Sequence, residues 1–258
     1  MAMNTPTVEL SGRTALVIGA TEGIGRATAF AFAAAGANVF AAGLGAERGA
    51  SLVDEIRALG RVDAAFMEAD VTREADVKAV VERAAEKFGR IHAAVNNAGT
   101  EGGFGPVQDQ TSDVFDRIIS VNLKGIWHGL KYQLPHMLAH GGGAIVNTAS
   151  SAGIQPIANI AIYSASKHGV VGLTKATALE VARSNIRVNA VAPGPVNTGL
   201  LQRMVGGHID LSAIAASVPM ARISEPDEVA KAIVWLCSDA ASYVTGHVLA
   251  VDGGLTVG

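Results

Sequence analysis

TALVIGATEGIGRATAFAFAAAG, residues 14–36, reads as a strand, a glycine turn and a helix in direct succession. Residues 14–18 (TALVI) read as a buried first strand, and residues 23–35 are an alanine-rich helical stretch that Gly36 ends. Between them stand Gly19, Gly23 and Gly25 in GxxxGxG spacing. Glycine at a strand-to-helix turn permits positive φ and lets backbone N–H groups approach a pyrophosphate, which the helix N-terminus also stabilises. The turn is therefore a candidate dinucleotide site, with Thr21, Glu22 and Ile24 as further contacts between its glycines. The competing reading, glycines that serve only a tight turn, is weakened by the strand before and the helix after.

Outward from this turn the alternation repeats. Strands are expected at residues 38–42, 62–68, 91–95, 144–148 and 186–191, with a closing strand at 247–251. Leu52, Ile56 and Leu59 mark one helical face, and Val77, Val80, Val81, Ala84 and Phe88 another. This order predicts an α/β fold: one Rossmann-type domain over residues 1–258, doubly wound around a parallel sheet of about seven strands. The cofactor would lie across the carboxyl ends of the strands at the topological switch point. Residues 193–226 are the least regular region, punctuated by GPVNTG, the Gly206–Gly207 pair and Pro219, and residues 199–218 are a candidate substrate-covering segment.

Composition narrows the function. The chain has 258 residues, 49% hydrophobic, and a net charge of −3 with no Lys/Arg-rich segment, so neither nucleic acid nor an anionic membrane is an expected partner. Cys237 is the only cysteine, which excludes an internal disulfide and a multi-cysteine metal site. Residues 27–46 are uncharged, but Gly36 and Asn38 in their middle favour helix, turn and strand over a membrane span. MAMNTPTVELSGR lacks the basic start and apolar core of a signal peptide, so a cytoplasmic protein is expected. Of seven histidines, including His208, only His136 and His140 have metal-helix spacing. No carboxylate lies between those two and Gly141 to Gly143 follow at once, so no metal is expected.

Five further segments carry a resemblance: Asp70–Val71, NNAG at 96–99, Asn122 in VNLKG, Ser150 thirteen residues before Tyr163 in YSASK, and PGPVNT at 193–198. In order and separation the chain from about Leu10 to Gly254 resembles the short-chain dehydrogenase/reductase family, near its 3-oxoacyl-(acyl-carrier-protein) reductases and secondary alcohol dehydrogenases. The resemblance implies that Asp70 and Val71 hold the adenine and that Asn96, Ala98 and Gly99 shape the wall beside it. Asn97, Pro193 and Gly194 are further cofactor contacts, and Val196 and Thr198 meet the nicotinamide carboxamide. It makes Asn122 the holder of a water that links the lysine to solvent. Ile18 departs from the family, which usually has threonine there.

The chemistry can also be argued from residue types. Hydride transfer to a carbonyl carbon builds alkoxide charge on oxygen, so a proton donor must stand within about 3 Å of it. Tyr163 can donate, but an ordinary phenol near pKa ~10 is only about 0.1% ionised at pH 7, so alcohol oxidation needs that value lowered. Lys167, four residues on, shares its helix face, and an ammonium there favours the phenolate. Ser150 would hydrogen-bond the substrate oxygen. Singly, these residues have ordinary readings: a solvated Tyr–Lys pair, a serine capping a turn at a strand end, and a buried amide at Asn122. Their joint occurrence behind a dinucleotide turn reverses that weighting.

Ile154, Gln155, Ile157 and Ile160, with the 199–218 segment, are the expected substrate walls, and their apolar character favours a small uncharged ketone or secondary alcohol. The alternative is a 3-oxoacyl group on acyl carrier protein, for which the candidate basic docking residues Lys124, Lys131 and Arg117 are sparse. A nucleotide-binding sensor or scaffold is the non-enzymatic alternative. Gly43 stands where NAD-preferring relatives usually carry aspartate, and Leu44 where many NADP-preferring ones carry arginine. Glu22 would repel a 2′-phosphate and Arg48 is expected to face solvent, so NAD(H) is slightly favoured over NADP(H). A homotetramer is expected by resemblance through residues 122–138, 161–182 and the closing strand, the second helix having Val170, Val171, Leu173, Ala176 and Leu179 nearly all round it.

Overall fold

Uninterrupted apolar runs become central strands here because helices cover both faces of the sheet. The computed structural model describes residues 8–206 and 210–257. Residues 1–7, Gly207 and His208 lie outside the described residues, and with them most of the start read for a leader and part of the glycine pair. The strands are β1 (Thr14–Ile18), β2 (Asn38–Gly43), β3 (Ala64–Glu68), β4 (Ala93–Asn96), β5 (Gly143–Thr148), β6 (Ile186–Pro193) and β7 (Val248–Val251). They form one seven-stranded sheet in the order β3-β2-β1-β4-β5-β6-β7, every pairing parallel. The order reverses between β1 and β4, which makes their carboxyl ends the switch point.

The helices are α1 (Gly23–Ala34), α2 (Ala46–Ala58), α3 (Glu74–Phe88), α4 (Ser112–Ile119), α5 (Gly125–Ala139), α6 (Ala161–Val181), α7 (Gly199–Val205), α8 (Leu211–Ser217) and α9 (Pro226–Cys237). Alternation along β1 divides the core: Ala15 and Val17 pack with α1, α2 and α9, while Leu16 and Ile18 pack with α3, α5 and α6. No helix among the described residues is long and apolar enough to cross a membrane.

Two expectations change. Leu59 does not share the buried face of Leu52 and Ile56; it is the exposed C-cap of α2, where the chain already turns toward Gly60. Asn96 does not face the cleft. It shares the sheet face of Ala94, and its amide donates to Gln133 Oε1 (3.0 Å) and Asn147 Oδ1 (2.9 Å) while accepting from Gln133 Nε2 (2.8 Å). Asn147 in turn donates to Thr174 Oγ1 at 3.0 Å. This buried polar set ties β4 and β5 to α5 and α6, the helix that carries Tyr163 and Lys167.

Candidate active site

Gly19 leaves β1 with φ +85°, and a Cβ there would lie 2.4 Å from the Ala98 nitrogen. Only glycine permits both the turn and the approach of the β4 exit loop. Asn97 and Ala98 donate their backbone N–H groups to Ile18 O (2.9 and 3.1 Å), and Asn97 Nδ2 donates to Gly19 O at 2.9 Å. Thr148 Oγ1 donates to Asn97 Oδ1 at 3.1 Å, so the ends of β1, β4 and β5 are joined across the switch point.

A cleft of about 940 Å³ opens above these ends. Gly19, Thr21, Glu22, Gly23 and Ile24 line it from the turn, and Gly43, Asp70 and Val71 from one flank. Asn97, Ala98 and Gly99 form its floor, and Pro193, Gly194, Val196 and Thr198 come from beyond β6. The glycine cradle, the helix N-terminus behind it and this length of cleft fit a dinucleotide. Gly25 is a correction: it does not line the cleft. A Cβ on it would fall 1.8 Å from the Gly19 carbonyl oxygen, so its part is to let α1 close on the turn.

The structure gathers the catalytic candidates at the other end. Ser150 follows β5, and its Oγ accepts from Ala152 N at 3.2 Å, so the turn-capping role is present. Tyr163 lies in the first turns of α6, buried. Lys167 is 3% exposed, donates from Nζ to Thr148 O at 2.8 Å, and holds Nζ 5.7 Å from the Tyr163 ring centre. Burial lowers the Lys167 ammonium to about 8, so it stays largely charged at neutral pH. The expected lowering of Tyr163 by Lys167 is not what dominates. Burial pushes the phenol up, the Ser150 hydroxyl beside it pulls it down, and the Glu101 charge pushes it up again. The net effect is upward, which keeps the phenol protonated.

Asn122 sits in a π-helical turn, Ser120–Lys124, that runs into α5. Its amide accepts from Thr100 N (2.7 Å) and donates to Thr100 O (2.9 Å) and Ser166 Oγ (3.2 Å). It is fully buried beside Gly99, on which a Cβ would stand 3.6 Å from Asn122 Oδ1 and 3.7 Å from Lys167 Nζ. Its protein hydrogen bonds are thus those of a buried amide, one glycine away from the lysine.

Gln155, Ile157 and Ile160 line the substrate end, joined by Leu200, Met204 and Ile214. Ile154 does not: the turn at Ser151–Gly153 leaves it exposed outside the cleft. Arg48 is exposed, as expected, and it also folds over the Leu44–Gly45 turn at the edge of the cleft. Its guanidinium stands 3.8 Å from Glu22 Oε2 and donates to Leu44 O at 3.5 Å, at the cleft wall. Arg203 lines the cleft from within the 199–218 segment expected there, whereas Phe104 and Arg117 line it and were missed as cleft residues. For Phe104 a signal existed: one aromatic among Gly102, Gly103 and Gly105. His136 Nε2 accepts from Ile91 N at 3.1 Å, and among the described residues no three His, Cys, Asp or Glu side chains gather as a metal site.

Residues 19–256 match a family profile described as enoyl-(acyl carrier protein) reductase. The chain is 42% identical over 248 residues to cyclohexanol dehydrogenase of Acinetobacter sp. (strain SE19), covering 96% of each chain. A solved 3-ketoacyl-(acyl-carrier-protein) reductase from Brucella melitensis, complexed with NADH, superposes with a TM-score of 0.90 at 36% identity, over 96% of this chain and 100% of that one. A variant actinorhodin polyketide ketoreductase solved with NADPH gives 0.90 at 37% identity, over 95% and 97%.

Proposed function

This chain belongs to the short-chain dehydrogenase/reductase family and is a nicotinamide-dependent oxidoreductase of CH–OH groups; we propose that it interconverts a small uncharged cyclic ketone and its secondary alcohol, with NAD(H) preferred. One observation carries the reading: Tyr163, Ser150 and Lys167 meet at the end of a dinucleotide cleft whose nearest walls, Ile157, Ile160, Leu200 and Met204, are apolar. Cyclohexanol dehydrogenase, a relative over nearly the full length, is named for a substrate of that class.

The bound nicotinamide supplies or accepts the hydride. Every other step belongs to the chain. Ser150 hydrogen-bonds the substrate oxygen and the protonated phenol of Tyr163 delivers a proton to it as charge develops. Lys167, charged below about 8 and anchored on Thr148 O, stabilises the phenolate that remains. Asn122 fixes the Thr100 backbone and α6 behind the lysine, and the water it is expected to hold would complete a proton path.

For the cofactor, Glu22 is compensated by Arg48 (3.8 Å) and Arg203 (3.5 Å), so simple repulsion of a 2′-phosphate is weaker than its charge alone implies. A phosphate near Leu44 would nevertheless have to draw Arg48 away from Glu22 and leave that carboxylate facing it, whereas a hydroxyl leaves the pair intact. Steady-state kinetics on cyclic, open-chain and carboxylate-bearing ketones with both reduced cofactors test the whole reading. The expected result is highest kcat/KM with a neutral cyclic ketone and NADH. A preference for a carboxylate-bearing substrate, or a kcat/KM more than tenfold higher with NADPH, overturns the corresponding part.

An acyl-carrier substrate is less well supported: of its three candidate docking cations, Lys131 is held by Glu74 and Arg117 donates to Thr100 Oγ1 at 3.1 Å, so that only Lys124 is exposed without a side-chain partner among the described residues. The whole chain would act as one catalytic domain in the cytoplasm. Leu179 on α6 is 84% exposed, and Trp127 and Leu138 on α5 are also exposed, as a homotetramer built through these helices requires. Light scattering at micromolar concentration should give four times the mass of one chain, and a monomer would refute the assembly.

A further inference from the structure

Two segments that the reaction itself does not require face each other across the substrate end of the cleft. One is the glycine-rich run after β4 that carries Glu101 and Phe104; the other is α7, which carries Leu200, Arg203 and Met204. Arg203 Nε donates to Glu101 Oε1 at 3.0 Å and Nη2 to Oε2 at 3.4 Å, a fork-on-fork pair, and Glu101 is largely buried in making it. The same Nη2 lies 3.5 Å from Glu22 Oε1 in the dinucleotide turn. Neither carboxylate is close to Arg203 in sequence, so the pairs form only when the cleft lips come together. Phe104 and Met204, an exposed aromatic and a flexible thioether that both line the cleft, stand three residues and one residue along the chain from the paired side chains.

We infer that Glu101 and Arg203 form an ionic clasp that holds the Phe104 segment and α7 shut over the substrate chamber, with Glu22 tying the closed lid to the cofactor turn. The inference deepens the function proposed above and rests on it for where the substrate lies. Arg203 is then a positioning residue: it reaches the chamber through the walls it pulls together, and no proton or hydride passes through it. The residues next to it in sequence fit the part. Thr198 Oγ1 accepts from Leu201 N at 3.3 Å and starts α7 against Gly23, so α7 is anchored at one end by its cap and near the other by Arg203. The opposing segment is tethered separately, by Gly105 N donating to Asn159 O at 2.9 Å.

Amide hydrogen exchange on the full chain without cofactor or substrate tests the clasp independently of the reaction. In Arg203→Gln and in Glu101→Gln, amides of both residues 101–105 and 200–205 should exchange at least about fivefold faster, as expected for a lid released from its latch. The double variant should be no faster than Arg203→Gln, which already loses both the Glu101 and the Glu22 ties, while α6 keeps its protection. The KM for the ketone should rise about fivefold or more with kcat lowered by less than twofold. Arg203→Lys should recover part of both effects. Unchanged exchange in either segment, additive effects in the double variant, or a fall in kcat without a rise in KM overturns the clasp. A correct exchange result with no turnover on any ketone would refute the proposed function and leave the clasp standing.

Discussion

Tyr163→Phe is expected to lower kcat for ketone reduction by roughly 10³-fold, the size of effect that a positioned general acid supplies. The hydroxyl is the proton source for an alkoxide that has no comparable donor beside it, since Ser150 is a far weaker acid. The phenyl ring keeps its packing against Ala152, Ile160 and Met204, so the fold and the cleft should survive the change. Titration of the reduced cofactor by its fluorescence should give a Kd within about twofold of the unsubstituted protein. Retention of more than a tenth of kcat would show that another group delivers the proton. The upward displacement of the phenol by burial adds a directional expectation. A donor held protonated suits reduction near neutral pH, and oxidation should improve as the pH is raised.

The extent to which the site could be read in the sequence follows the length scale of each contact. The β1 turn was legible because strand, glycines and helix are contiguous, and the pairing of Ile18 with Asn96 places the NNAG segment beside it. Tyr163 and Lys167 were legible because i, i+4 spacing fixes a shared helix face. Asn96 was misplaced by one residue of strand parity: it continues the face of Ala94 into the α5–α6 layer, and Asn97 is the side chain that turns to the cleft. Ile154 was misplaced because a short helical turn interrupts the run after β5. Arg48 is exposed as expected, but its approach to Glu22 joins two different βα units and has no local signature. The Arg203–Glu101 pair spans 102 residues of sequence, and no local pattern announces it. Tyr163 shows the same limit in its energetics, since the cost of burying a phenol depends on everything packed around it and not on the lysine one turn away.

Lys167→Met should abolish turnover, by at least about 10²-fold in kcat/KM, while relieving a strain on the fold that only a pH series reveals. The Lys167 ammonium has an ordinary value of 10.5 and is held at about 8 by burial. In the unfolded chain the proton therefore stays bound up to about 10.5, whereas the folded protein releases it near 8. Between those values the unfolded state binds more protons, so stability contributed at this site rises with pH across that window and is lowest below about 8. At ~1.4 kcal/mol for each tenfold change in proton affinity, the difference is on the order of 3 kcal/mol. Methionine has the length to fill the site but no charge, so its stability carries no such slope. It also leaves the Thr148 carbonyl without its donor, at a cost of about 1–3 kcal/mol that does not depend on pH. At pH 7 the two effects oppose each other and the variant should lie within a few kcal/mol of the unsubstituted chain. By pH 10.5 the advantage of removing the ammonium is gone and only the carbonyl cost remains. Urea unfolding of both proteins from pH 7 to 10.5 should show their stability difference moving by about 3 kcal/mol in favour of lysine as the pH rises. A difference that stays constant over that range would mean that Lys167 keeps its ordinary proton affinity in the fold.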